Sequence, residues 1–458
     1  MLIQGAEVDG VAGVDVRIDP GEGGRTGAGR IVAVGRGLAA QVGEDVVTAD
    51  GGALIPGLHD HHVHLRAWAA TRWSVPLGSV RDPGEFDRRV RDGAVSAPSG
   101  AWLRGVGWHE STGGALDRYR LDALTGARPA RVQHRTGAMW VLNSAALRVV
   151  GAENAGPAGI ERDASRAPTG RLYRLDDWLR DRIRRAEPDP FPAALSALTG
   201  EAAARGVTRF TDATPGRDQS ETDALAALAI PQHLTLMSPP GITGPGVGPH
   251  KIVLNDTTLP EAGELAETIR GSHRAGFPVA VHCVTVEQLV TLLAAIEDAG
   301  GLPGDRVEHA GVVPPGSAVR LARQGIAVVT NPGFLADRGD VYRRDVPAPE
   351  RDWLYPVRSL LDAGVTVAAA TDAPFGPADP WVAIAAAVTR RTPDGEVLGP
   401  HERIYPAEAL RLFLEDPDRA GGRRRIAPGQ PSDVCLLHVP LEVVLRDPSS
   451  THVRATFG

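Results

Sequence analysis

Four histidines and one aspartate fall within the nine residues GLHDHHVHL, positions 57–65. Imidazole nitrogen suits borderline cations such as zinc, so this stretch raises metal chemistry before anything else. On a strand, His62 and His64 point to one side with Val63 opposite. A lone His-x-His also fits a surface pair or two packed histidines, so it needs partners elsewhere. Asp60 suits a turn or a hydrogen bond that steadies a ligand. His59 and His61 read as loop residues able to approach a substrate.

Partners occur at the ends of separate apolar runs. His282 ends FPVAVH, His309 ends DRVEH, and Asp372 follows GVTVAAAT. Each histidine alone fits a core or loop role, and Asp372 alone fits a helix cap. Together, four imidazoles and a carboxylate make a credible metal shell. Lys251, in GPHKIVLND, has two readings. One is an amine facing water at a strand edge. The other is an amine converted by CO₂ into a carboxylate-like carbamate that bridges two metals. Composition does not choose between them.

Something must hold these residues together. EAAARGVTRFTDA (201–213), HRAGFPVAVHC (273–283), LARQGIAVVTNPG (321–333) and LLDAGVTVAAATDAP (360–374) share one arrangement. Each runs from helix through glycine to a short β-rich segment that ends in a polar residue, as parallel βα units do. Such repetition predicts an α/β fold, a (β/α)₈ TIM barrel, with the reactive residues at the C-terminal strand ends where barrel sites lie. A doubly wound sheet stays open, because strand order is not readable from this pattern. Residues 1–56 carry glycine-broken apolar runs, and DVCLLHV and THVRATF near the C-terminus match them. The expectation is a composite β-sandwich from 1–56 plus 426–458, a metal-dependent barrel over 57–425, and a loop and helical elaboration around 78–200.

Composition narrows the class. A formal charge of −7 and a pI near 6.1 argue against a general nucleic-acid binder. The run Arg423-Arg424-Arg425 reads as solvated surface. The start lacks a basic segment followed by an apolar run, and no stretch of eighteen apolar residues occurs, so neither export nor a membrane span is expected. Two cysteines, Cys283 and Cys435, exclude a disulfide framework and fit a reducing, cytoplasmic compartment. Cys283 follows His282 and alternation turns it away, which favours a packed thiol over a nucleophile.

PGLHDHHVHL at 56–65, KI at 251–252, VAVHC at 279–283, VEHAGVV at 307–313 and ATDAPFGPADP at 370–380 together resemble the amidohydrolase superfamily. GVGWHE (105–110), VLNSAAL (141–147), APTGRL (167–172), YPAEALRLF (405–413) and APGQPSDVCLL (427–437) extend the likeness over nearly the whole chain. It points to amidohydrolase family 3, in the branch of YtcJ-like and N-substituted-formamide-deformylase-like proteins. The resemblance implies that His62 and His64 bind the more buried metal and that His282 and His309 bind a second. It makes Asp372 both a ligand and the proton carrier, and Lys251 the carboxylated bridge. Divalent metal, zinc above all, is the implied cofactor, as one or two ions. Departures occur at His282-Cys283-Val284-Thr285, at Ala138 and at Arg171-Leu172-Tyr173-Arg174, which put the substrate pocket in question.

The implied activity is hydrolysis of a non-peptide C–N bond in a cyclic amide, an N-acyl amine or a formamide. Metal would acidify a water and polarise the carbonyl, with Asp372 shuttling the proton. The same site would also serve lactone or ester hydrolysis, or deamination; a catalytically inactive interaction protein is the rival of another class. Trp108, His109, His134, Trp140, Asn331 and Phe334 are the substrate-binding candidates. A small-molecule substrate is expected, without nucleic acid or membrane, and a homodimer by family analogy.

Overall fold

Short runs of mixed apolar and polar residues, several introduced by a glycine that ends the preceding helix, build the centre of the molecule. In this computed structural model, which describes residues 1–19, 21, 29–153, 156–184, 191–255, 258–416 and 422–457, eight such runs are parallel strands. They are β1 (Leu58–Val63), β2 (Val207–Asp212), β3 (His233–Leu236), β4 (His250–Val253), β5 (Val279–Cys283), β6 (Arg306–His309), β7 (Ala327–Thr330) and β8 (Val367–Ala369). The β2 strand pairs with β1 and β3, and β4 through β8 pair in sequence order. Backbone bonds join the two groups. Ser238 N donates to Pro249 O between β3 and β4, while Asp372 N donates to His62 O and His64 N to Ala373 O between β8 and β1.

The result is a (β/α)₈ barrel, and that closure rules out the doubly wound sheet. The four helix–glycine–strand segments supply β2, β5, β7 and β8. Their glycines end helices: Gly325, at φ 69°, stops Ser317–Gln324 in the left-handed conformation that a side chain resists. After β5, a capping box of Thr285 and Gln288 starts the helix Val286–Ala299.

The chain ends form two small sheets. One runs Arg30–Gly35, Val11–Asp19, Leu2–Val8, Val46–Thr48; the other runs Val453–Phe457, Val434–Leu437, Leu54–Pro56. Ile3, Val16 and Ile31 of the first share one core with Leu54, Val434 and Leu436 of the second, as in a β-sandwich. Asp433 ties this sheet to the barrel, accepting from Arg209 Nε at 2.9 Å, Thr208 Oγ1 at 2.8 Å and the Arg424 guanidinium. Arg424, its side chain 10% exposed, is therefore an ion-pair partner of Asp433, which corrects its reading as solvated surface. Among the described residues, no helix is long and apolar enough to cross a membrane.

Residues 66–194 form a second unit, distinct from the unit of 1–65 and 195–458. The sequence reading gave this region helices and turns; the structure adds a six-stranded sheet. Its strands are short or broken by glycine, as in LRGVGW at Leu103–Trp108, so their period-two signal is faint. The sheet has apolar cores on its own account, one around Phe86, Leu121 and Val132, another around Leu142, Leu147 and Leu172.

Candidate metal centre

The strand ends of the barrel bring distant residues to one place. His62 lies one residue before the end of β1 and His64 directly follows the strand, while Asp372 lies just after β8. Their ligand atoms all lie within 4.8 Å of one another. His64 Nε2 stands 3.4 Å and His62 Nε2 3.7 Å from Asp372 Oδ1. That oxygen is buried and accepts no hydrogen bond among the described residues. An ion about 2 Å from each ligand needs separations of roughly 3–4 Å, so the donor set and the orphaned oxygen fit one divalent cation.

His309 and His282 stand beside this group. The His309 ring lies 4.6 Å from those of His62 and His282, centroid to centroid, and its Nδ1 is 3.9 Å from Asp372 Oδ2. Lys251, on β4, places Nζ 3.4 Å from His62 Nε2 and is buried, against the reading of a lysine facing water. His309 and Asp372 both adopt left-handed backbone, at φ 69° and 57°. Non-glycine residues pay for that conformation, and such strain gathers at functional sites.

Electrostatics keep the imidazoles ready to bind a cation. Burial, aided by Lys251, holds the pKa of His62 well below 6.5 and brings that of His282 down to about 4. Burial does the same to His309, with His62 adding to it. His62 Nδ1 nonetheless touches Glu308 Oε2 closely enough to pass for an ion pair. Burial outweighs that carboxylate, so we read a neutral ring donating Nδ1–H to Glu308 and turning the Nε2 lone pair toward Asp372. Asn331 Oδ1 holds His309 Nδ1 at 2.8 Å and leaves its Nε2 free in the same way.

These shifts carry a pH prediction. Unfolded His282 takes a proton near 6.5 and the folded residue only near 4. Between those values the unfolded chain binds more protons at this residue, so its contribution to metal-free stability is fully present above pH 6.5 and is lost as pH drops toward 4. Urea midpoints of chelated protein should follow that course. A midpoint unchanged from pH 7 to 4.5 would contradict it.

Glu308 was not singled out from the sequence. It is fully buried, and Arg306 Nε donates to its Oε1 at 2.6 Å. The available signal was a charged pair inside RVEH, where an interior strand should be apolar. Asp60 takes the supporting role expected of it, accepting from Thr371 N at 2.9 Å and Thr371 Oγ1 at 2.5 Å beside Asp372. His59 and His61 are corrected from loop to strand: both lie within β1, with ring centroids 3.8 Å apart, and His59 Nε2 pairs with Thr211 Oγ1 at 2.9 Å.

A cavity of about 490 Å³ opens against His282, His309 and Asp372, with Phe334, Tyr342 and Tyr355 on its wall. Phe334 is thus where a substrate candidate should be. Asn331 is not: it is buried, and its Nδ2 donates to Ala370 O at 3.1 Å while Oδ1 holds His309. Trp108 and Trp140 are likewise packed in the cores of the second unit, donating to Gly114 O and Asp176 Oδ1. Their aromatic bulk is spent on packing rather than on a pocket. His109 and His134 belong to the second unit too, where their rings lie 5.1 Å apart. Cys283 is packed, and burial pushes its thiol pKa up, as befits an inert residue.

Comparison with known proteins agrees with this picture. The profile of the amidohydrolase family matches residues 45–456. The chain is 29% identical to the N-substituted formamide deformylase of Arthrobacter pascens, over 86% of this chain and 85% of that one. It is 23% identical to YtcJ of Bacillus subtilis, over 85% of each. In three dimensions it superposes on an uncharacterized metal-dependent hydrolase from Pyrococcus horikoshii with a TM-score of 0.77, at 18% identity and 99% coverage of both chains. A counterpart from Pyrococcus furiosus gives a TM-score of 0.72 at 20% identity, covering 95% of this chain and 98% of that one.

Proposed function

The chain belongs to the amidohydrolase family, and from that premise we propose that it hydrolyses a non-peptide C–N bond in a small amide. The substrate class is an N-acyl amine, a formamide or a cyclic amide. One observation carries the reading: His62, His64 and Asp372 converge on a single point beside a cavity large enough for such a molecule. The likeness to an N-substituted formamide deformylase supports placing the chain in that branch and favours the formamide.

We take the cation to be Zn²⁺, which when bound would supply Lewis acidity toward a water and a carbonyl. The rest falls to the protein. His62 and His64 would hold the ion, with Glu308 fixing the orientation of His62. Asp372 takes the proton released by the attacking water and passes it to the departing nitrogen. Phe334 and the neighbouring tyrosines form the wall that receives the substituent on that nitrogen. His282, His309 and Lys251 are the ligands we propose for a second ion.

Lys251 would serve that role as a carbamate. Burial lowers its pKa to about 8, which raises the share of free amine. The amine nitrogen bonds to the carbon of CO₂ and one proton leaves, giving –NH–COO⁻. Lys251→Ala should then lose metal and activity together, read by metal analysis and turnover. Two ions retained with unchanged turnover would overturn the bridge.

The reaction class is tested by assaying N-substituted formamides, other N-acyl amines and cyclic amides beside matched esters and lactones, with amino-substituted heterocycles as a third arm. Turnover of an amide class above its ester counterpart supports C–N hydrolysis. Turnover confined to esters and lactones, or to ammonia release from the heterocycles, overturns it.

A further inference from the structure

We propose that residues 66–194 carry a separate divalent-metal site of their own, formed by His109, Glu110 and His134. Strand pairing builds it. Leu103–Trp108 and Ala130–His134 are parallel neighbours with Trp108 opposite His134, so two strand ends leave the sheet side by side. Arg135 N donates to Trp108 O at 2.8 Å and fixes that junction. His109 and Glu110 follow the first strand, and His134 closes the second.

The ligand atoms of the three residues lie within 4.8 Å of one another. His134 Nε2 is 3.1 Å and His109 Nε2 3.9 Å from Glu110 Oε2. An ion about 2 Å from each asks only a small rotation of partly exposed side chains. The far side of each ring is already engaged. His109 Nδ1 lies 2.6 Å from Ser111 Oγ, and His134 Nδ1 lies 2.8 Å from Thr136 Oγ1. The two motifs, His-Glu-Ser and His-Arg-Thr, thus give each imidazole a hydroxyl from two residues on. Ser111 N and Thr136 N donate to the same two nitrogens, at 3.1 and 3.3 Å, so each ring is held with Nε2 turned toward Glu110. Binding an ion at Nε2 moves the ring proton to Nδ1, where the hydroxyl accepts it, as in metal-binding histidines.

Trp108 completes the support. It is fully buried, and its ring meets that of His134 edge to face at 5.4 Å, fixing the floor under the ligand. Two imidazoles and one carboxylate with solvent access suit a late first-row divalent ion, leaving positions for water. Bound there, the ion ties the loops after the two strands together.

Zn²⁺ is the probe. The full chain carrying His62→Ala, His64→Ala, His282→Ala, His309→Ala and Asp372→Ala, which removes the ligands of both barrel ions, is dialysed against micromolar Zn²⁺ and its metal content measured by mass spectrometry. One equivalent should stay bound and should disappear when His109→Ala and His134→Ala are added, with circular dichroism checking the fold. Glu110→Gln keeps the shape of a partly exposed side chain and should weaken Zn²⁺ at least tenfold. Ser111→Ala or Thr136→Ala should weaken it about tenfold, as loss of a ring partner does. The proposal fails if the barrel variant holds no Zn²⁺, or if its ion binds equally well after Glu110→Gln and the two histidine changes.

Discussion

Asp372→Asn should lower kcat by about a thousandfold while the fold is retained, within the range of 10²–10⁴ that a positioned proton carrier contributes. The asparagine is nearly isosteric but cannot accept the proton from water or return it to nitrogen. It also removes the negative charge that faces His64 Nε2 at 3.4 Å and His62 Nε2 at 3.7 Å. Turnover on the best amide, measured beside metal content and a melting curve, checks this. Unchanged turnover would remove Asp372 from the chemistry.

The second large effect is on stability. Glu308→Ala leaves the Arg306 guanidinium in the barrel interior without the carboxylate that now takes its Nε hydrogen bond, and both side chains are fully buried. Breaking a buried ion pair on one side costs about 3–5 kcal/mol. The same change frees His62 Nδ1, so metal affinity should fall by roughly 10–100-fold. Urea unfolding and Zn²⁺ titration read the two effects separately. A variant as stable as the parent, with unaltered affinity, would show that the Arg306–Glu308–His62 chain is not what orients the ligand.

Four barrel strands, β2, β5, β7 and β8, were legible because each follows a helix and a glycine as a short β-rich run that leads to a chemically distinct residue. His282, His309 and Asp372 announce the ends of β5, β6 and β8. The sheet of residues 66–194 was not legible, since Ser74–Pro76 and Ile160–Arg162 are three residues long and Leu103–Trp108 is broken by glycine. Side-chain identity misled where burial decides the role. Trp108 and Trp140 look like pocket walls in a sequence, yet packing consumes them. Arg424 looks like surface, yet Asp433 holds it inside. Asn331 looks like a rim contact, yet its amide orients His309. Glu308 was hidden for the opposite reason: a carboxylate next to a histidine reads as a polar strand end, and its partner in β1 lies far away in sequence.

The central claim is that His62, His64 and Asp372 hold a catalytic divalent ion. Anomalous diffraction at the zinc edge, from crystals of protein with demonstrated hydrolytic activity, tests it most directly. The account predicts a peak between His62 Nε2, His64 Nε2 and an Asp372 carboxylate oxygen. Active crystals with no peak at that point would contradict it.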